Sequence, residues 1–399
     1  MFVVSISMNS TLSTNLSFRA KPIPKDVINK TTRNLLAKRV KDVDIYCHSS
    51  ADEDTVNSAK VFGNWLIENG KSVNFCVPRN EVKDLYFDTR KYNLKKSEIP
   101  ADRAVVVDFN AQERLSDSFK NLFAQNKPEN IIGYDHHTKG EAPLNGNFYV
   151  DDSAKSCCGV LTRFFEGLDR KLNKSDTKSL YCGMVSDYKK SGLLKITKEN
   201  NAYNVQKTEK LLNDKNSLEV FNKLDKQLSL EEKNNIYKHL DPLSRLTQNE
   251  KLLRKRLFRD IKVTPNGKMA YIVIPPKDKL WQKVGMDTPA TSEILKDLRV
   301  RVSENPSNVD FLSSEQKKDM KNVDTVIAFY RKSGSFDEYR MSIHSKSNSA
   351  LKLIDNAKIS NSQITAGGHP DRAGGKIDSI AENDVQNFVN ALVKASDIL

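Results

Sequence analysis

Cysteine is scarce. Five stand among 399 residues, at Cys47, Cys76, Cys157, Cys158 and Cys182, and none follows the paired spacing of a zinc finger. Neighbours such as Cys157 and Cys158 rarely bridge one another, so the expectation is a reduced, cytoplasmic protein without disulfides. Long apolar runs are missing too. No stretch approaches the ~20 consecutive apolar residues that span a bilayer. Met1 to Ala20 lacks the basic start of a signal peptide, and its run Phe2 to Ile6 is too short for one. This Ser-, Thr- and Asn-rich segment reads as the beginning of a weakly ordered tail. A soluble chain with no membrane partner is expected, and it shows no internal repeat.

What is abundant is positive charge. The balance of 64 Lys and Arg against 51 Asp and Glu gives a formal charge of +13, which favours polyanions such as nucleic acid or phosphorylated metabolites. The lysines are dispersed, so a solvated basic surface accounts for the charge equally well. The length and a hydrophobic content of 38% suffice for two domains with separate cores. From Lys41 short apolar runs alternate with helical periodicity. Val43 to Cys47, Val73 to Val77, Ala104 to Val107 and Ile131 to Tyr134 read as buried strands; helices run from Thr55 to Asn69, ending at Gly70, and onward from Ser156. The fold class this predicts is α/β, with a mainly parallel sheet in the N-terminal domain. Residues 1–40 read as a tail, 41–200 as the main domain and 201–262 as a charged helical connector without strands. Residues 263–399 read as a smaller α/β domain, with strands at Met269 to Ile274, Val323 to Tyr330 and Tyr339 to His344.

Four polar clusters close strands or helices of the first domain: His48 with Asp52 and Asp54; Asp108; Asp135, His136 and His137; and Asp187. Strand ends are where open α/β sheets place ligands. Any single Asp there is equally well a helix N-cap. Together they gather carboxylates that would repel one another and be costly to desolvate unless cations neutralise them. Oxygen-rich donors with some imidazole and no thiolate suit Mn²⁺ first, with Mg²⁺ as the alternative. A pair of such ions can clamp a phosphoryl oxygen and lower the pKa of a water, so no Ser or Cys nucleophile is required.

The order His48-x-x-x-Asp52-x-Asp54, Asp108, Asp135-His136-His137, Asp187 closely resembles the DHH phosphoesterase superfamily. Gly367-Gly368-His369-Pro-Asp-Arg372-Ala373-Gly374-Gly375 resembles the glycine-rich signature of its DHHA1 domain. The resemblance implies that His48, Asp52 and Asp108 hold one metal ion and that Asp54, Asp108, His136 and Asp187 hold the other, with Asp108 bridging. It implies that His137 faces the substrate phosphate and that Asp135 orients a neighbouring imidazole, so Asp108, Asp135 and His137 form the catalytic group. Gly367, Gly368, His369 and Arg372 would bind substrate through a glycine-rich loop whose backbone N–H groups approach a phosphate. His344 stands where relatives often carry an Arg, a departure that bears on nucleotide recognition. The chain is similar to oligoribonucleases that degrade very short RNAs and dephosphorylate 3′-phosphoadenosine 5′-phosphate, with the active site expected in a cleft between the domains. The implied partners are short oligonucleotides or phosphorylated nucleotides, and a homodimer is allowed. Rival readings are a single-strand exonuclease, a cyclic dinucleotide phosphodiesterase, a family II pyrophosphatase and an inactive nucleotide-binding module.

Other conspicuous residues have bland readings. His239 reads as a solvated helix residue far from any motif, Trp65 as packing and Lys251 to Arg259 as a solvated face, while Trp281 is left open.

Overall fold

A computed structural model of the chain describes residues 21–398 except 79–90, 139, 200–201, 276–277, 286–287, 305, 310, 332–337, 348–349, 359–363, 370–371 and 378–381. The chain divides into two units, Met1–Leu240 and Asp241–Leu399.

The first unit contains α1 (Lys25–Leu36), β1 (Asp42–Tyr46), α2 (Glu53–Glu68), β2 (Ser72–Cys76), β3 (Arg103–Val107), α3 (Asp117–Phe123), β4 (Ile131–Asp135) and β5 (Asn147–Val150). It continues through α4 (Cys157–Gly167), α5 (Lys174–Lys190), β6 (Leu194–Glu199), β7 (Ala202–Lys207), α6 (Glu209–Asn213), α7 (Lys215–Asp225) and α8 (Leu230–His239). Strands β2-β1-β3-β4-β5 form one sheet in that order, and every pairing is parallel. The fold is α/β, as the alternation predicts. A parallel sheet covered on both faces needs apolar residues at consecutive positions, and β3 shows why its sequence is a run of valines. Val105 and Val107 pack in the larger core with Val43, Ile45, Phe62 and Phe164. Ala104 and Val106 pack in the second core with Tyr46 and Phe123.

The helix expected from Thr55 begins two residues earlier, because Asp52 caps it, and it stops before Gly70, whose φ of 75° is open to glycine at little cost. Trp65 packs edge-on to Phe62 and Phe164.

Two expectations need correction. The reading of 1–40 as a tail fails for its second half: α1 buries Ile28, Thr31 and Leu35 on one helical face, and the Thr31 hydroxyl lies 2.7 Å from Tyr134 Oη. The first twenty residues lie outside the described ones. The stretch read as a strandless connector contains β7, which pairs antiparallel with β6 just before it, and its helices α6 and α7 bury Leu211, Val220, Phe221 and Leu224 in the core of the first unit. Charged amphipathic helices resemble a solvated connector until their apolar stripe is seen to be covered. Strand β5 is a further addition, four residues long and half-buried.

The second unit contains α9 (Gln248–Asp260), β8 (Lys262–Val263), β9 (Met269–Val273), α10 (Lys279–Val284), α11 (Pro289–Glu304), α12 (Ser314–Asp319) and β10 (Thr325–Tyr330). It ends with β11 (Tyr339–Ser345), α13 (Ala350–Lys358), β12 (Ile364–His369), β13 (Arg372–Ile377) and α14 (Glu382–Ile398). Its sheet runs β12-β13-β11-β10-β9-β8, parallel between β9 and β10 and antiparallel elsewhere. Trp281 is core, edge-on to Tyr330. In α9 the guanidinium groups of Arg254 and Arg256 pair with Asp297 and Asp278 at 2.7 and 2.6 Å, so part of this basic stretch is engaged within its own unit. Among the described residues no helix is long and apolar enough to cross a membrane.

Candidate metal centre

Because β1, β3 and β4 are parallel neighbours, the residues that follow each of them emerge at one edge of the sheet. His48 follows β1, Asp108 follows β3, and Asp135, His136 and His137 close β4. Helix α2 begins under this edge with Asp52 and Asp54, and α5 brings Asp187 from its last turn.

Donor atoms of His48, Asp52 and Asp108 lie within 4.8 Å of one another, and so do those of Asp54, His136 and Asp187. The Asp108 carboxylate faces both sets. Its Oδ2 is 3.5 Å from His48 Nε2, while its Oδ1 is 3.2 Å from His136 Nε2. His136 Nε2 also stands 3.5 Å from Asp187 Oδ2 and 3.7 Å from Asp54 Oδ2. Asp108 reaches this position with φ at 69°, a left-handed conformation that Asp tolerates better than most residues. Yet Asp108 Oδ1 and His136 Nε2 are buried without a hydrogen-bond partner of adequate geometry.

Asp52 realises its N-cap reading and has an oxygen to spare. Its Oδ1 accepts from the amides of Asp54 and Thr55 at 3.1 Å each, capping α2, while Oδ2 accepts from Lys190. Asp54 is held by the opposing helix start: the amides of Cys157 and Cys158, the first residues of α4, donate to its two oxygens at 2.5 and 2.9 Å. Asp135 has a donor atom within 4.8 Å of those of Asp108, His136 and His137. Its Oδ1 accepts from the amides of His136 and His137 and lies 2.8 Å from His137 Nδ1, so the imidazole it orients is that of His137.

The electrostatics of the cluster are tense. Burial, then the charges of Asp108 and Asp187, push the Asp54 carboxyl well above the usual carboxylate range. Burial and the Asp108 charge raise Asp187 to about 6. Burial also opposes ionisation of Asp108, but the close approach and charge of His136 and His48 outweigh it and hold Asp108 well below that range. Burial lowers His136, but Asp108, Asp54 and Asp187 overcome this and raise it to about 9. Four carboxylates around two imidazoles, with unpaired polar atoms between them, fit a pair of divalent cations and not a closed structural zinc.

Several contributors escaped the sequence reading. The Thr55 hydroxyl donates to Asp108 Oδ2 at 2.5 Å. Asn110 Nδ2 donates to Asp135 Oδ2 at 2.6 Å and to the His137 carbonyl at 3.0 Å. Lys190 joins Asp52 and Asp187. Their only signal is sequence proximity to the named aspartates. His239, expected to be solvated, instead has its Nε2 2.5 Å from Oε1 of the buried Glu53, which lies between Asp52 and Asp54. The correction has a physical reason: a buried carboxylate needs a partner, and the end of α8 supplies one.

Residues 42–185 match the DHH family, N-terminal domain. The likeness to that family is confined to this segment, a little over a third of the chain. The matched segment contains every expected metal-binding residue except Asp187, which stands two residues beyond it. No curated protein sequence matches the chain. Among solved structures, an exopolyphosphatase-related protein from Bacteroides fragilis is similar in fold, at 17% identity and a TM-score of 0.52, with 94% of this chain and 98% of that chain covered. RecJ from Thermus thermophilus, solved with Mn²⁺, aligns at 14% identity and a TM-score of 0.38, covering 95% of this chain and 56% of its own. A putative family II inorganic pyrophosphatase from Methanococcus jannaschii aligns at 14% identity and 0.36, covering 88% and 99%.

Apart from His137, the expected substrate-binding residues belong to the second unit. The glycine-rich stretch, read as a loop, is the hairpin β12–β13, in which Gly367 pairs with Gly374 and His369 with Arg372. Arg372 pairs on its other side with His344 of β11, so His369, Arg372 and His344 stand in one cross-strand row. His344 lies on the half-buried side of β11, which alternates with the buried Ile343 and Ser345. The side chains of His369 and Arg372 lie outside the described residues, as do Pro370 and Asp371.

Proposed function

We propose that the protein is a two-metal phosphoesterase acting on short oligonucleotides or on 3′-phosphoadenosine 5′-phosphate. The observation that carries the reading is the Asp108 carboxylate, whose two oxygens face two separate sets of donors. In this reading His48, Asp52 and Asp108 hold one divalent cation, and Asp54, Asp108, His136 and Asp187 hold the second, Mn²⁺ being favoured over Mg²⁺. Such ions supply charge neutralisation and Lewis-acid polarisation of a phosphoryl oxygen.

The chain's own residues complete the site. Asp135 holds His137 by Nδ1, which leaves Nε2 of a one-third exposed imidazole as the nitrogen that meets a substrate phosphate. Asn110 fixes Asp135 in turn. Cys157 and Cys158, beside Asp54, do not compete for the nucleophile's role: burial and the neighbouring aspartates push both well above the usual thiol range, so neither forms a thiolate. The preference for small nucleotides rests on the resemblance of Gly367 to Gly375 to the DHHA1 signature and on the row His344, Arg372, His369, with the +13 charge favouring a polyanion. His344, where relatives often carry an Arg, offers two ring nitrogens in place of a guanidinium fork.

The test is Mn²⁺-dependent hydrolysis across dinucleotides, short RNAs, 3′-phosphoadenosine 5′-phosphate, cyclic di-AMP, pyrophosphate and long single-stranded DNA. Preference for the shortest linear substrates supports the proposal. Preference for long DNA or for pyrophosphate moves the protein to another branch of chemistry, and no turnover of any of them sinks it.

A further inference from the structure

Lys190 is the last residue of α5, one turn after Asp187. Its ammonium donates to Asp187 Oδ1 at 3.1 Å and to Asp52 Oδ2. These are the oxygens left over on each side. Asp52 Oδ1 is taken up by the α2 cap and faces His48, whereas Asp187 Oδ2 faces His136. Asp52 and Asp187 belong to different donor sets, so one cation spans both halves of the centre. The side chain is 55% exposed, and a lysine on a flexible stem at a water-facing rim can swing away at small cost. Its neighbour Lys189 is directed elsewhere, donating to the Leu240 carbonyl at 3.3 Å.

We propose that Lys190 is an exchanging cation of the site: its ammonium binds Asp52 and Asp187 until divalent cations displace it, and once displaced it binds the phosphate of the substrate. The proposal rests on the two-metal reading above. Its physical basis is competition. Doubly charged cations on the oxygens that face His48 and His136 would repel an ammonium on the outer oxygens of the same two carboxylates and neutralise the charge that holds it there. The released ammonium remains tethered to the helix that carries Asp187. It is therefore kept at the rim where an incoming phosphate needs a third positive charge.

The experiment uses the full chain stripped with a chelator. Calorimetry reads Mn²⁺ binding, and then binding of inorganic phosphate to the Mn²⁺-saturated protein, for wild type, Lys190→Gln, Lys190→Arg and Lys189→Gln. Removing a half-exposed competitor is expected to tighten Mn²⁺ about three- to tenfold in Lys190→Gln and to weaken phosphate by about tenfold. Lys190→Arg should stay near wild type in both. Lys189→Gln, which removes the same charge one residue away, should leave both unchanged. Mn²⁺ affinity in Lys190→Gln equal to wild type, a matching gain in Lys189→Gln, or unchanged phosphate binding in Lys190→Gln each overturns the proposal. Wild type that takes up no Mn²⁺ overturns the metal reading itself. Wild type that takes up Mn²⁺ yet hydrolyses none of the substrate panel overturns the phosphoesterase reading alone, and the two titrations still judge Lys190.

Discussion

Gly183 of α5 lies so close to Asp54 that a Cβ on the glycine would come within 3.0 Å of the Asp54 Cα, 3.0 Å of the Glu53 carbonyl oxygen and 2.5 Å of Cys158 Sγ. Two of these three contacts are backbone, which cannot rotate aside. The absent side chain at position 183 therefore sets how near α5, and with it Asp187, approaches the start of α2. Gly183→Ala is expected to part the helices at this point despite its gain of about 1 kcal/mol in helix propensity. A net loss of about 1–2 kcal/mol in urea unfolding is expected, since overpacking costs more than the propensity returns. Mn²⁺ affinity should fall by about tenfold with it. A variant that binds Mn²⁺ as wild type does would show that this contact does not space Asp54 from Asp187.

Asp187 is raised to about 6 by burial and by Asp108. An unfolded chain ionises this group near 3.8, so its charge disfavours the fold by an amount that builds between pH 3.8 and about 6 and is fully present at neutral pH. Asp187→Asn removes that cost. With a chelator present, the variant should be more stable than wild type at pH 7 by about 1–3 kcal/mol, the lower part of the range applying if losing the Lys190 pair offsets the gain. The stabilisation that Mn²⁺ confers on wild type should largely vanish. A variant less stable than wild type without metal would contradict the direction assigned to Asp187.

Protons and divalent cations compete for the same atoms. His136, raised to about 9, must lose its proton before its nitrogen can bind a cation, and Asp187 must lose its own near 6. Mn²⁺ affinity is therefore expected to rise by roughly tenfold per pH unit between pH 6 and 9, to level above 9 and to fall more steeply below 6. Titration calorimetry at pH 6, 7, 8 and 9, in buffers of differing ionisation enthalpy, measures both the affinity and the proton released. A dissociation constant flat across this window would remove His136 from the ligand set.

Glu53 is buried between two of the proposed ligands and has His239 at 2.5 Å and Asn57 Nδ2 at 3.1 Å. His239→Ala takes away the closer of these while the carboxylate stays buried, at an expected cost of about 1–3 kcal/mol. Because the same segment carries Asp52 and Asp54, hydrolysis at saturating Mn²⁺ should drop as well. Urea unfolding together with kcat separates the outcomes: a stability loss with unchanged kcat would confine the His239–Glu53 pair to a structural role.

Much of this protein is determined locally. Valine-rich runs spaced by amphipathic helices leave a parallel α/β sheet as the consistent solution, and the edges of β1, β3 and β4 move by no more than one residue from the expected runs. The polar clusters at the ends of those strands follow from the same periodicity, since a residue just after a buried strand leaves the apolar layer. Local pattern could not choose between cap and ligand for Asp52, which uses one oxygen in the cap and turns the other toward Lys190. The glycine-rich segment was recognisable by composition, but whether it forms a loop or a hairpin depends on the β11 edge it pairs with. Tertiary structure alone decided that α1 docks under Tyr134, that His239 reaches back 186 residues to Glu53, that Gly183 meets Asp54 and that Lys190 spans both donor sets. The reason is physical. Period and propensity act over a turn or a strand, whereas these contacts depend on strand order and helix crossings, which are set by packing the whole core at once.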